Sequence, residues 1–243
     1  MRSEPPSTPP TNSGPVRPVV FLHLPKTAGM TLRGILERVY ADHPIEFLTN
    51  KGGELRAFAS RPLEDRARVA LLAGHIPWGA QAVIPGARAI TVLRDPVERV
   101  ISFYHFTRRA PNALHHKAVT EGNLSLADCV ESGLLAGEMN LQTAMLASRD
   151  ARTPEDQLDS AGHNLRAYAA FGLVERFADT VALFTRELRW PAVEWESRNV
   201  TENRPRADDL DPALVGRIRR EAAFDTVLYN DALTLFERRL GGA

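Results

Sequence analysis

One cysteine, Cys129, stands in a chain of 243 residues, so no disulfide can form within it, and a reducing compartment fits that usage. No stretch comes near the roughly 20 consecutive apolar residues that a membrane-spanning helix needs. Charge of one sign is missing too, since 30 Lys and Arg balance 30 Asp and Glu. A neutral chain has no overall basic field to hold nucleic acid or an anionic membrane, so any anion site must be local. No Cys/His cluster carries metal-ligand spacing, and no metal is expected. Residues 1–18, MRSEPPSTPPTNSGPVRP, are rich in Pro, Ser and Thr without an apolar run. They read as a disordered tail, neither signal peptide nor membrane anchor. With no repeat or composition break after it, 19–243 reads as one domain of a cytoplasmic protein.

The residues that remain are organised around VVFLHLPKTAGMTLRGILERVY, Val19 to Tyr40. VVFLHL is a near-continuous apolar run, as a strand buried on both faces of a parallel sheet would be. Leu32, Ile35, Leu36, Val39 and Tyr40 then recur at helical spacing and form a stripe that packs back on the sheet. Between them lies a tight turn, Pro25, Lys26, Thr27, Ala28, Gly29, Met30 and Thr31. It sets a lysine, two hydroxyls and several backbone N–H groups at a helix N-terminus, where an anion is favoured. The GxxxxGK[ST] nucleotide loop is absent, and no apolar strand ends in a lone Asp suited to Mg²⁺.

Further strands are expected at IEFLT, VALLAGH, AITVLR and FGLVE, with His75 closing the second of these and Arg94 the third. After Arg94, Asp95 reads as a helix N-cap, Pro96 as the first helical residue and Glu98 as a capping-box partner. In that helix Glu98, Ser102 and His105 share the face opposite Val97, Val100, Ile101 and Tyr104. Residues from Arg109 to Ser125 read as a long irregular loop. Helices are expected at Leu126–Leu134, Gly137–Ala147, Pro154–Ala169 and Ala178–Leu188, with one or two more at the C-terminus. The alternation implies an α/β fold: a parallel sheet flanked by helices, a P-loop-like turn and a helical C-terminal part.

The pair PKTAGMT and LRDPVERVISFYHF resembles the cofactor-binding pair of PAPS-dependent sulfotransferases, in the branch of heparan sulfate 2-O-sulfotransferases and their bacterial relatives. GHIPWG, NLQTAMLAS, FGLVERF and LYNDALTLFERRL extend the resemblance over most of the chain after the tail. It implies PAPS as sulfuryl donor, PAP as product, and a hydroxyl of a carbohydrate-like or other small molecule as acceptor. It assigns the turn from Pro25 to Thr31 to the 5′-phosphosulfate, with Lys26 at the sulfuryl or bridging oxygen. Arg94 and Ser102 would grip the 3′-phosphate, and Arg204, in a late basic loop, would close over the nucleotide.

His75 is the candidate general base, because an imidazole with an intrinsic pKa near 6.5 can take a hydroxyl proton at neutral pH. A strand-end histidine satisfied by a backbone hydrogen bond is the plainer alternative. His23, inside the first strand, reads as a hydrogen-bonded core residue. Taken without the family pattern, Arg94 reads equally as a salt bridge to Asp95 or Glu98, and Ser102 as a solvated helix serine. Asn140, Gln142, His115, His116, Asn199, Asn203 and Arg206 are open between ligand contact and ordinary polar surface. The competing functions are a P-loop-type kinase or hydrolase, which would need Mg²⁺, and a non-catalytic nucleotide-binding relative. Acceptor identity and oligomeric state are not readable.

Overall fold

The computed structural model describes residues 17–49, 52–196 and 204–242. The expected tail therefore lies outside the described residues except for Arg17 and Pro18, and the Pro18 carbonyl already accepts a hydrogen bond from the Arg88 N–H at 2.8 Å.

Five parallel strands form one sheet: β1 (Val19–Leu22), β2 (Ile45–Leu48), β3 (Leu71–Gly74), β4 (Arg88–Leu93) and β5 (Ala170–Leu173), in the order β2-β3-β1-β4-β5. Residues of β1, β3 and β5 are buried throughout, which is why they read as unbroken apolar runs, whereas edge strand β2 is half-buried. Alternation along the strands divides the core. Val20, Leu22, Leu72, Leu93 and Phe171 face one layer of helices, and Val19, Phe21, Leu71, Ile90 and Val92 face the other.

Helix α1 (Gly29–Val39) covers the second face with Leu32, Ile35 and Leu36. Two short helices, α2 (Glu54–Ala59) and α3 (Leu63–Ala67), lead to β3, and α4 (Pro96–Arg109) follows β4 directly. Asp95 caps α4 as expected, accepting from the Glu98 N–H at 3.0 Å. The reciprocal half of the capping box is not formed: the Asp95 N–H goes to Glu175 at 3.3 Å, because the Glu98 carboxylate is engaged elsewhere.

Beyond α4 lie α5 (His116–Glu121), α6 (Leu126–Glu131), α7 (Leu141–Leu146), α8 (Pro154–Ala167), α9 (Phe177–Leu188), α10 (Pro212–Glu221) and α11 (Ala223–Leu240). The expected loop from Arg109 to Ser125 thus contains a helix, which has no apolar stripe to announce it, since Val119 is its one buried residue. The helix expected over Gly137–Ala147 is split, because Asn140 takes a left-handed φ of 59° and restarts the chain as the N-cap of α7. FGLVE leaves the sheet after Leu173 and turns into a single 3₁₀ turn at Val174–Arg176. Helices α8 and α11 pack on the first sheet face, while α4, α6 and α10 share a third apolar cluster around Val100, Ile101, Val130 and Ile218.

Candidate active site

β3, β1 and β4 are neighbours at the centre of the sheet, and all three run in the same direction. Parallel neighbours stand about 4.8 Å apart, so the residues that follow them emerge side by side along one sheet edge. Those residues are His75 after β3, the Lys26 turn after β1 and Arg94 after β4. Open parallel sheets bind ligands at this carboxyl edge, beside the strand where the winding reverses, which is β1 here.

The turn itself is held in a demanding conformation. Lys26 and Ala28, neither of them glycine, take φ values of 69° and 58°. Such backbone costs on the order of 1 kcal/mol per residue and persists where neighbours over-determine it. One such restraint is Thr27, fully buried, whose Oγ1 donates to the Leu24 carbonyl at 2.7 Å. Another is Gly29, where an added Cβ would stand 1.6 Å from His23 Nε2. The residue must be glycine because an imidazole fills the space a side chain would need. Pro25 is half-buried, Thr31 is buried and Met30 is 48% exposed at the lip. Gly29 and Met30 open α1, so their N–H groups have no acceptor inside the helix and point out of its N-terminus.

Cations crowd this turn. The Lys26 ammonium lies over the Phe106 ring, 4.2 Å from its centroid. Burial, followed by repulsion from Arg109, Arg94 and Arg204, brings the Lys26 pKa down to about 8. Arg94 is mostly buried and donates to the Lys26 carbonyl at 3.1 Å. Its Nη2 also meets Glu98 at 3.4 Å, and its buried Nε faces Glu175 at 3.8 Å, an ion-pair distance too long for a hydrogen bond. Arg204 reaches Glu98 Oε2 at 2.6 Å and the Glu98 carbonyl at 3.2 Å. The other carboxylate oxygen of Glu98 accepts from the Ala207 N–H at 2.8 Å. One carboxylate therefore gathers two guanidinium groups and a backbone N–H. Glu98, Ser102 and Phe106 follow one another at i, i+4 and i+8 along α4, so half-buried Ser102 lies between the paired arginines and the lysine.

On the other side of the turn, the half-buried His75 ring stacks on His23 with centroids 4.4 Å apart. His75 Nδ1 is 2.7 Å from the His23 carbonyl oxygen. A carbonyl can only accept, so Nδ1 carries the hydrogen, and in the neutral ring the lone pair is on Nε2. The expected backbone hydrogen bond is therefore present, and it occupies Nδ1 and not Nε2. His23 is half-buried and is not a plain core histidine. Burial, with help from His75, Lys26 and Arg33, drives its pKa down to about 3, and it stays neutral.

The remaining polar candidates divide. Asn140 and Gln142 turn inward to pair with backbone, and Gln142 is 1% exposed. His116 is tied to the Thr107 carbonyl at 2.7 Å, while His115 caps α5 with a left-handed φ of 65°. The Arg206 N–H bonds Asp209 at 2.8 Å, and Asn199 and Asn203 lie outside the described residues. Sequence reasoning missed Phe106 and the hub role of Glu98. A 3.6-residue register from Glu98 through Ser102 to Phe106 was the available signal. Among the described residues, no group of three His, Cys, Asp or Glu side chains is arranged to hold a metal ion.

No family model matches the chain. It is 26% identical over 276 aligned residues to heparan-sulfate 6-O-sulfotransferase 2 of Danio rerio, an alignment covering 91% of this chain. That relative is a sulfotransferase by name, in keeping with the resemblance carried by the two motifs. It falls on a 6-O enzyme and does not single out the 2-O branch expected from the motifs. The chain spans 58% of the length of that curated relative. Among solved structures, a sulfotransferase from Alicyclobacillus acidocaldarius superposes with a TM-score of 0.40 at 17% identity, over 87% of this chain and 94% of that one. That overlay is too loose to align site residues. No helix among the described residues is long and apolar enough to cross a membrane.

Proposed function

We propose that the chain is a sulfotransferase that uses PAPS and passes a sulfuryl group in line to a hydroxyl of a carbohydrate-like or other small acceptor, leaving PAP. The observation that carries this reading is the meeting of three groups at adjacent strand ends: the Lys26 turn, the Arg94–Arg204 pair and a histidine with its lone pair on Nε2. The residues fit a nucleotide with two anionic ends. The donors are cations and outward N–H groups, and the buried Arg94 Nε, 3.8 Å from the Glu175 carboxylate, makes no hydrogen bond.

The bound nucleotide supplies an activated sulfuryl group, and the chain supplies the rest. Lys26 and the N–H groups of Gly29 and Met30 hold the 5′-phosphosulfate and offset charge growing on the leaving phosphate. Arg94, Ser102 and Arg204 take the 3′-phosphate. His75 Nε2 receives the acceptor proton as the oxygen–sulfur bond forms and the sulfur–oxygen bond to phosphate breaks.

Calorimetry with PAP, ATP and ADP, each with and without Mg²⁺, tests the reading. Tight PAP binding without metal, and none of ATP, is the expected result. Mg²⁺-dependent ATP binding with indifference to PAP would favour a kinase or hydrolase instead. Transfer of radiolabelled sulfate to a panel of hydroxyl acceptors separates an enzyme from a binding protein.

A further inference from the structure

Arg94 sits where the sheet ends and α4 has not begun. The β4–β5 ladder closes at Leu93 with Leu173, so the Arg94 N–H and C=O have no strand partner left. Both are served by a single side chain. Gln142 Oε1 accepts from the Arg94 N–H at 2.9 Å, and Gln142 Nε2 donates to the Arg94 carbonyl at 2.9 Å. The amide acts as one more rung of the ladder and fixes the peptide from which the guanidinium projects.

Gln142 is itself held from α11. The start of α7 and the start of α11 meet and exchange caps. Asp225, in the first turn of α11, accepts from the Gln142 N–H at 3.2 Å and from the Thr143 N–H and Oγ1 at 2.7 Å each. In return Asn140 Oδ1 accepts from the N–H groups of Phe224 and Asp225 at 2.9 Å and 3.1 Å. Gln142, Thr143 and Asp225 are each 1% exposed, so the bonds that Asp225 accepts are shielded from bulk water. In so dry a setting a misaligned polar group is costly, and the arrangement has little slack.

We infer that Gln142 is a positioning residue: backed by Asp225, it locks the Arg94 backbone and so aims the guanidinium at the 3′-phosphate of the nucleotide. The inference rests on the sulfotransferase reading, in which Arg94 meets that phosphate. It assigns the inward-turned polar residues of NLQT a role in cofactor discrimination without any contact to the cofactor.

The test is selectivity, because a merely structural residue would weaken every nucleotide alike. PAP and 5′-AMP differ by the 3′-phosphate alone, and calorimetry on the full chain gives the ratio of their affinities. In Gln142→Met, which keeps volume and removes both bonds, the preference for PAP should fall roughly 10-fold or more while 5′-AMP affinity changes by less than about twofold. Gln142→Glu keeps the bond from the Arg94 N–H and sets a carboxylate against its carbonyl, and it should lose the preference as well. It serves if the methionine variant does not fold. In an Arg94→Met background the same substitutions should cost no further preference, since the group they aim is gone. A wild-type chain that prefers PAP and a Gln142 variant that keeps this preference would overturn the inference alone. A wild-type chain that does not distinguish PAP from 5′-AMP would overturn the sulfotransferase reading and this inference with it.

Discussion

His75 Nδ1 and the His23 carbonyl oxygen lie 2.7 Å apart, and that bond decides which imidazole nitrogen can work as a base. If Nε2 takes the acceptor proton, His75→Ala should lower sulfate transfer about 10²–10⁴-fold while PAP affinity stays within about twofold. Single-turnover transfer and calorimetry on the same preparation measure the two halves. Unchanged turnover would remove His75 from the chemistry.

The pH dependence of nucleotide binding should follow Lys26. Its pKa of about 8 lies below the usual lysine value, and the ammonium is the form that attracts an anion. PAP affinity should therefore hold at neutral pH and decline as pH rises through about 8. Stability of the ligand-free chain should move the opposite way. The unfolded lysine binds its proton up to about 10.5, so between the two values the unfolded state holds more protons and folding gains as pH rises. Lys26→Arg, charged throughout, should flatten both trends. Calorimetry and thermal denaturation across pH 7–10 check the two signs.

Gly29→Ala is the smallest change expected to disrupt the Lys26 turn. The new methyl would fall 1.6 Å from His23 Nε2, so either the ring or the turn must move. PAP affinity should drop at least about tenfold, and thermal stability should fall with it. The paired variant Gly29→Ala with His23→Ala restores space and should recover part of the binding. Failure of the pair to recover anything would mean that the turn, not the ring, is what yields.

Cys129 provides a probe that needs no substrate assay. It is fully buried on α6 in the apolar cluster shared with α4, and burial pushes its thiol up. A thiol reagent should reach it only when that cluster opens. PAP at 100 times its Kd should slow the reaction by roughly 100-fold if the opening also dismantles the nucleotide site. Stopped-flow labelling with and without PAP gives the ratio, and a ratio near one would show that α6 opens independently of the site.

Local signals were strong where burial on both faces left little choice. Val19–Leu22 and Leu71–Gly74 are entirely buried and read as strands from apolar runs alone. The cap and proline at Asp95 and Pro96 likewise set the start of α4 without help from the rest of the chain. That the Lys26 turn, His75 and Arg94 each follow a buried strand was legible, whereas the side-by-side order of those strands comes from the sheet topology. What was not legible depends on partners distant in the chain. Glu98 had the right position for a capping box, and only the approach of Arg204 and Ala207 diverts it. Gln142 looked like a polar helix residue because nothing near it in sequence announces that Arg94 has run out of strand partners. Phe106 under Lys26 belongs to the same class, a contact between two elements whose separate patterns do not mention each other.

The order β3-β1-β4 at the centre of the sheet also bears on how the protein becomes competent. Lys26, His75 and Arg94 are far apart in the chain and adjacent only after two non-local parallel pairings have formed. In the proposed reading the nucleotide is held from the ends of β1 and β4, so a fragment or early helical intermediate without that pairing should not bind it. Parallel pairing is slow to assemble because loop closure must precede any contact energy. Recovery of nucleotide binding during refolding should therefore lag helix formation and coincide with closure of the central sheet, making the ligand a clock for the last long-range step.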